Sequence, residues 1–500
     1  MRLPAAVAVL AGELSLVPTL LPRRPWVQGI FSGVVAANTY ALVVVAVLSV
    51  ASLHRRWALR RTVESGRRAW RRLDGHVDAV VWPALVNRAG ILLLTAGFLA
   101  AVVGGRTTAV LLAARSDGPA PPLLGQLTAA VIGVAVAGAL VLAARLLLSG
   151  VTRAVRYLVR ARWATRLLLG GVVAAVIAAT GSSVPVAGAT SSPLVHPGAA
   201  WAAVQTRPQV RSGGAGSEVT WSSLDAKGRE FLAGGPTAAA ITAVTGRPAE
   251  ESIRVYVGMH AAPTAQARSQ IALRELRRIG GFDRSVIVIA VPTGSGWVNP
   301  AAPAALEYLY GGDVATVAVQ YADVPSWAAY LCGLGAARET SRALLDTISA
   351  ATGQLPPATR PRVVLYGESL GALSALSGLS PADAHSDAAL WVGVPADAPA
   401  ATSPDQVRLV HADDPVAIWT PRLLIGPTPQ WQGAWFPLIS FWQATADLAA
   451  AYDIPNGHGH RYAAEFVDAW NRIAPAHHLP GAAPATSFGA IRAAVLLGGG

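Results

Sequence analysis

The sequence predicts an α-helical bundle of four or five transmembrane spans, followed by an α/β domain with a mostly parallel sheet. Residues 1–188 contain several apolar stretches near the length of about 20 residues that a helix needs to cross a bilayer. After residue 220, short runs of β-branched residues alternate with helical patterns, which is typical of βαβ units. Residues 189–220 are rich in Ser, Pro, Gly and Ala and are predicted to be a linker. The predicted domains are therefore a transmembrane domain at 1–188 and an α/β domain at 221–500.

The predicted spans are long apolar segments with few charges, at residues 4–21, 27–50, 89–113, 122–148 and 167–187. The first is short and carries Glu13 and Pro18, so a count of four spans stays open beside five. No small-residue cleavage site follows it directly, which favours its retention in the mature protein.

The net charge of +12 comes from 40 basic and 28 acidic residues, and it is unevenly distributed. Residues 1–200 hold 20 arginines and 5 acidic residues, so the positive charge belongs to the apolar half and does not indicate nucleic-acid binding. Eight of these arginines lie in residues 54–73, and five lie in residues 153–166. Arginine-rich loops stay in the cytoplasm. The last span then runs outward, and the sequence predicts a multi-pass protein of the cell membrane with an extracytoplasmic C-terminal domain.

Six β-branched runs predict the strands of that domain, at residues 253–257, 285–291, 315–321, 362–366, 389–392 and 407–410. Their nearly continuous apolar character is typical of parallel strands buried on both faces. Helical patterns are predicted at 263–279, 325–351 and 370–379.

The stretch Gly-Glu-Ser-Leu-Gly, residues 367–371, lies between a predicted strand and a predicted helix. A G-x-S-x-G motif in that context is typical of the nucleophile turn of α/β-hydrolases. Ser369 is the candidate nucleophile, and the amide of Leu370 at the helix N-terminus is a candidate oxyanion donor. A second donor is expected from Thr293 or Gly294, which follow the strand at 285–291. The alternative for each segment is a plain structural turn.

A serine nucleophile needs a base and an acid that orients the base, in the chain order Ser, acid, His in this fold. Asp413 and Asp414 follow the strand at 407–410, and Asp414 is the preferred acid. The glycine-rich segment YDIPNGHGHRY supplies the base. His460 is preferred, with His458 as the alternative.

No metal and no organic cofactor is expected. A metal site at His458 and His460 would need further ligands at suitable spacing, which His411 with Asp413 or Asp414 could supply. The single cysteine, Cys332, excludes an intramolecular disulfide.

Long segments of the chain resemble an actinobacterial family of membrane α/β-hydrolases with a multi-span N-terminal domain and a C-terminal catalytic domain. The resemblance rests on LSLVPTLLPRRPWVQG in the N-terminal part, and on IRVYVGMHAA, LRELRRIGGFDRSV, PTGSGW, GDVATVAVQYADVPSW, YGESLGALSA, HADDPVAIW and PNGHGHRY in the C-terminal part. It implies a serine-hydrolase fold and esterase-type chemistry.

The sequence thus predicts a membrane-anchored serine hydrolase, similar to esterases and lipases, that cleaves an acyl ester through Ser369, Asp414 and His460. Because the predicted transmembrane domain holds the site near lipid, membrane lipids are the expected partners and an envelope lipid is the expected ester substrate. An acyltransferase with the same three residues is one alternative. A non-catalytic membrane protein whose hydrolase domain only binds is another. The sequence does not indicate an oligomeric state.

Overall fold

The computed structural model describes residues 3–60, 88–119, 121–160, 209–332, 334–378, 386–400, 405–431, 433–473, 475 and 481–498. The chain forms two compact units. The helical unit contains Met1–Ala187 and Thr420–Asp453, and the α/β unit contains Gly188–Trp419 and Ile454–Gly500. The predicted span at 167–187 and most of the predicted linker lie outside the described residues.

The described α-helices are numbered here in chain order. They are α1 (Leu3–Ser15), α2 (Pro25–Arg60), α3 (Arg88–Arg115), α4 (Gly125–Arg160), α5 (Ala226–Ala233), α6 (Ala238–Thr245), α7 (Ala265–Arg278), α8 (Ala301–Leu309), α9 (Ser326–Cys332), α10 (Gly335–Gly353), α11 (Leu370–Gly378), α12 (Ile439–Ala450), α13 (Glu465–Ile473) and α14 (Phe488–Gly498).

Three helices in the described part of the chain are long and apolar enough to cross a membrane, over Pro25–Val47, Leu94–Arg115 and Gly125–Arg153. They correspond to the predicted spans at 27–50, 89–113 and 122–148. The predicted first span forms only the 13-residue helix α1, which is apolar but short for a bilayer crossing. The described residues therefore contain three candidate spans rather than four or five.

Helices α2 and α4 pack closely because small residues line their interface. A Cβ on Gly29 would lie 2.6 Å from the carbonyl oxygen of Ala129, and one on Gly33 would lie 2.6 Å from that of Gly133. Two glycines four positions apart on one helix allow this backbone approach, as in other membrane helix pairs.

The α/β unit contains a six-stranded sheet in which every described pairing is parallel. The strands are β1 (Ile253–Val257), β2 (Val286–Val291), β3 (Val314–Val319), β4 (Arg362–Glu368), β5 (Ala388–Val392) and β6 (Gln406–Leu409). Their order in the sheet is β1-β3-β2-β4-β5-β6, which confirms the predicted fold class.

Helices cover the sheet in two layers. Helix α10 packs against α7 and α11, and α8 packs against α13 and α14. Every residue of β1, β2, β3 and β5 is buried, whereas β6 at the sheet edge is partly exposed. Burying a Val or Ile side chain contributes about 1.5–3 kcal/mol, so these strands supply much of the stability of the α/β unit.

The register aligns the carboxyl ends of the central strands. Val291 of β2 pairs with Gly367 of β4, and Glu368 of β4 pairs with Val392 of β5. Val392 in turn pairs with Leu409 of β6. The loops that follow these four strands therefore begin at one edge of the sheet, where open α/β folds place their ligands.

Candidate active site

Ser369 lies in a strained turn between β4 and α11. Its φ is 55°, a value that non-glycine residues rarely adopt. Its amide donates a hydrogen bond to the carbonyl oxygen of Val392 at 2.8 Å. Glu368 and Leu370 on either side are 3% exposed, whereas Ser369 is only partly buried. The turn thus presents the hydroxyl at the carboxyl edge of the sheet.

The loop after β2 packs directly against the first turn of α11. A Cβ on Gly371 would lie 2.3 Å from the carbonyl oxygen of Val291 and 3.0 Å from that of Pro292, so only glycine allows this approach. The Leu370 amide begins α11, where amides have no acceptor within the helix and the helix dipole is positive. The amides near Ser369 are therefore suited to stabilise an anion.

The two predicted donors of the β2 loop differ in their hydrogen bonding. The Thr293 amide donates to the carbonyl oxygen of Trp297 at 2.9 Å. It is therefore already engaged, and Gly294 is the better candidate for the second oxyanion donor. Gly294 is itself tightly packed, since a Cβ there would lie 2.9 Å from the Cα of Ser326.

Asp414 lies in the loop after β6 and is fully buried. Its Oδ1 accepts a hydrogen bond from the amide of Val416 at 2.9 Å. Its Oδ2 accepts one from the Tyr462 hydroxyl at 2.6 Å and lies 2.8 Å from Nδ1 of His460. Burial and the charge of Asp414 raise the pKa of Tyr462, so its phenol remains a donor. These contacts fix the carboxylate and, through it, the imidazole.

His460 is 1% exposed and lies against the end of β5. A Cβ on Gly393 would lie 2.4 Å from Cε1 of His460, so the ring occupies the space that a side chain there would need. Gly393 follows Val392, whose carbonyl oxygen accepts the hydrogen bond from the Ser369 amide. Ser369 and the His460–Asp414 pair therefore both lie at the end of β5, at Val392 and Gly393.

Electrostatics around His460 favour its protonated form. Burial lowers the pKa of the imidazole, but Asp414 and Glu368 outweigh burial and hold the pKa above its ordinary value. Such a ring takes up a proton readily, as a general base must.

The two adjacent aspartates each pair with a different histidine. Asp413 Oδ2 lies 3.0 Å from Nδ1 of His458, and Asp413 Oδ1 accepts the amide of Gly459 at 2.9 Å. This second pair is more accessible, with both side chains 26% exposed. His460 packs against Gly393 and interacts electrostatically with Glu368, which favours the preferred assignment of base and acid.

Glu368, the residue directly before the serine, is a further polar residue of this site that was not predicted from the sequence. Its Oε2 accepts hydrogen bonds from the Tyr366 hydroxyl at 2.8 Å and from Asn299 Nδ2 at 3.0 Å. Asn299 also donates to the carbonyl oxygen of Tyr462 at 3.1 Å. Burial raises the pKa of Glu368, while the neighbouring His460 opposes that shift. No sequence pattern distinguishes this glutamate, because the x positions of G-x-S-x-G carry no fixed chemistry.

Replacing Glu368 by glutamine is expected to shift the pH dependence of catalysis. The Glu368 charge raises the pKa of His460, and the base must be deprotonated to act. Wild-type kcat/KM should therefore fall as pH decreases through a value above about 6.5, the ordinary pKa of histidine. Glu368→Gln should move this acid limb to lower pH, while the exposed control Glu339→Gln should leave it in place. If the acid limb of Glu368→Gln moves to higher pH or stays at the wild-type pH, Glu368 does not raise the pKa of His460.

Among the described residues, no group of three or more His, Cys, Asp or Glu side chains could hold a metal ion. His411, the metal-ligand alternative, places Nδ1 3.0 Å from the carbonyl oxygen of Gly459 and Nε2 3.1 Å from Oε1 of Glu465. Its contacts join the loop after β6 to the histidine loop.

Comparison with known proteins agrees with this architecture. A model described as "Alpha/beta-hydrolase family" matches residues 253–408 and 400–485. A model described as "Alpha/beta-hydrolase family N-terminus" matches residues 16–236. No curated protein and no solved structure matches the chain. Together the two models span the helical region and the sheet. The chain therefore belongs to an alpha/beta-hydrolase family that has its own N-terminal region.

Proposed function

We propose that this protein is a membrane-anchored serine hydrolase that cleaves an acyl ester. Ser369 is the nucleophile, His460 is the general base, and Asp414 orients the imidazole. The observation that carries the proposal is the convergence at the end of β5. There the strained Ser369 turn is bonded to Val392, and the buried His460–Asp414 pair packs against Gly393.

In the first half of the reaction, His460 takes the proton of the Ser369 hydroxyl as its oxygen attacks the ester carbonyl. The oxyanion that forms is stabilised by the amides of Leu370 and Gly294. The C–O bond to the leaving alcohol then breaks, and the alcohol receives the proton from the imidazolium. Asp414 stabilises that imidazolium through the contact at Nδ1.

In the second half, His460 takes a proton from water, which attacks the acyl–Ser369 ester. The tetrahedral intermediate collapses, the proton returns to the serine oxygen, and the carboxylic acid leaves. The same base therefore serves both halves of the cycle.

The acid and its neighbour provide a matched test of this assignment. Asp414→Asn is expected to lower kcat for a soluble acyl ester by about 10⁴-fold, as for orienting acids in other Ser-His-Asp enzymes. Asp413→Asn should leave kcat nearly unchanged, because its partner His458 lies outside the proposed machinery. The measurement is steady-state hydrolysis by the purified full-length variants. If Asp413→Asn is inactive and Asp414→Asn is active, the assignment of the acid is wrong.

The helical unit supports a membrane location, since three of its helices are long and apolar enough to span a bilayer. We place the α/β unit on the extracytoplasmic side. Thr420–Asp453 contacts the chain directly before α2, where Arg23 and Arg24 donate hydrogen bonds to Asp447 and Asp453. The arginine-rich sequence HRRWALR forms the other end of α2, and such ends remain in the cytoplasm. A site held near lipid favours an acyl ester of an envelope lipid as substrate.

Cysteine accessibility tests this topology. In a Cys332→Ser background, Ala215→Cys should react with a membrane-impermeant maleimide on intact cells. Ser65→Cys, in the arginine-rich segment, should react only after permeabilisation. Reaction of both cysteines from the same side of the membrane contradicts the proposed orientation.

A further inference from the structure

One segment between the proposed acid and base belongs to the other compact unit. The chain leaves the α/β unit after Trp419 and returns to it at Ile454. The intervening residues, Thr420–Asp453, group with the N-terminal helices. We call this segment the strap. It contains α12 and a short 3₁₀ helix at Pro421–Leu424.

A buried ion pair holds the strap to the N-terminal helices. Arg23 Nε lies 2.8 Å from Oδ1 of Asp447, and both side chains are 1% exposed. The same carboxylate accepts hydrogen bonds from the Leu21 amide at 3.2 Å and from the Thr19 hydroxyl at 2.9 Å. A buried charge pair is stable only when its remaining hydrogen-bonding capacity is filled, and this network fills much of it.

Gln443, one helical turn before Asp447, extends the network to the backbone. The Arg23 Nη2 group donates a hydrogen bond to the carbonyl oxygen of Gln443 at 2.9 Å. The Gln443 side-chain amide donates one to the carbonyl oxygen of Val17 at 2.9 Å. The network therefore fixes one face of α12 against the segment between α1 and α2.

Apolar contacts add to this anchoring. Ile439 is 8% exposed and packs with Ala11 of α1 and Val35 of α2. The Trp442 ring lies 6.1 Å from the Phe31 ring, centroid to centroid. A freely moving loop would bury neither a charge pair nor these side chains, so the strap is fixed within the helical unit.

Both ends of the strap lead directly to the proposed catalytic loops. Asp414 lies shortly before Thr420, and the intervening Ala417 and Ile418 are buried. His460 lies shortly after Asp453, and the intervening Ile454 is buried. The two loops are also bonded to each other, because Asp413 accepts the amide of Gly459. Short, partly buried stretches of chain therefore join the strap to both loops.

We propose that anchoring of the strap on the N-terminal helices positions Asp414 and His460, so that the helical unit controls the rate of the chemical step. This inference rests on the proposed function. Arg23, Asp447 and Thr19 are positioning residues in this account, since they act through the acid and the base. The N-terminal region then has a second role beside attachment to the membrane.

Charge reversal at Asp447 tests the proposal. Asp447→Arg places two guanidinium groups together in a buried site and should release α12 from the helices. We expect kcat for a soluble short-chain acyl ester to fall by about 10²-fold with KM little changed, as for small displacements of catalytic groups. The acid limb of the pH profile should move to lower pH, because a looser Asp414 raises the pKa of His460 less. Hydrogen exchange should become faster in α12 and in residues 410–419 and 454–464.

The matched control is Asp453→Arg, which reverses the charge of the neighbouring pair with Arg24. That pair is exposed, with side chains 34% and 61% accessible, and exposed pairs contribute little. This variant should behave as wild type. If Asp447→Arg does not fold, Thr19→Val removes one hydrogen bond to Asp447 and should cause a smaller loss in the same direction.

Two results overturn the proposal. In the first, exchange in α12 is unchanged in Asp447→Arg, so the ion pair does not anchor the strap. In the second, α12 is released, but kcat, the acid limb and exchange in both loops match those of Asp453→Arg. If the wild-type protein hydrolyses no acyl ester, the proposed function fails, and exchange in the two loops still decides whether the strap orders them.

Discussion

Replacing Ser369 by alanine is expected to lower kcat for acyl-ester hydrolysis by about 10⁶-fold, the scale seen when a serine protease loses its nucleophile. The loss follows from the chemistry, because no other group at the end of β4 can form the acyl-enzyme. The measurement is hydrolysis by the full-length protein under single-turnover and steady-state conditions.

Two further variants separate loss of the nucleophile from loss of the fold. Ser377→Ala removes a partly exposed hydroxyl from the same helix and should retain wild-type activity. Ser369→Gly removes the hydroxyl and also relieves the positive φ of 55°. It should be as inactive as Ser369→Ala while folding at least as well as wild type. Full activity of Ser369→Ala ends the nucleophile assignment.

His460→Ala is expected to cause a loss of similar size, about 10⁶-fold, because a serine without its base is not activated. His458→Ala is the matched control from the same loop. His458 pairs with Asp413 at the partly exposed face, and loss of that pair should change stability by at most about 1 kcal/mol. Comparison of kcat and thermal unfolding for the two variants checks this. Inactive His458→Ala beside active His460→Ala would reverse the assignment of the base.

The strands could be predicted because the signal for a buried parallel strand is local. Runs such as Val-Ile-Val-Ile-Ala-Val at 286–291 are apolar on both faces, and the structure buries every residue of that strand. The turn at Ser369 could be predicted equally well, because a serine flanked by two glycines between a strand and a helix is typical of such a turn. Each of the six predicted runs overlaps one strand of the sheet, with boundaries that differ by one or two residues.

Which aspartate pairs with which histidine could not be predicted from the sequence as firmly as the strands or the Ser369 turn. Asp413 and Asp414 are adjacent, and His458 and His460 are two apart, so each set offers alternatives that a loop conformation must resolve. The deciding contact is tertiary. Gly393, at the end of a strand earlier in the chain, leaves space for the His460 ring.

The strap shows a different limit. Its sequence lies between the proposed acid and base, which indicates membership of the catalytic domain. Its partner Arg23 is 424 residues away from Asp447 in the chain, and no local pattern reports such a contact. The available signal was an aspartate in an otherwise apolar helical pattern, because a charged residue that becomes buried in such a helix is usually paired.

The most direct test of the account is reaction of the full-length protein with a fluorophosphonate, which phosphonylates an activated serine with loss of fluoride. Peptide mapping by mass spectrometry then identifies the modified residue. We predict one adduct, on Ser369, with labelling abolished in Ser369→Ala and strongly slowed in His460→Ala. An adduct on a different serine, or labelling of Ser369→Ala at the wild-type rate, would contradict it.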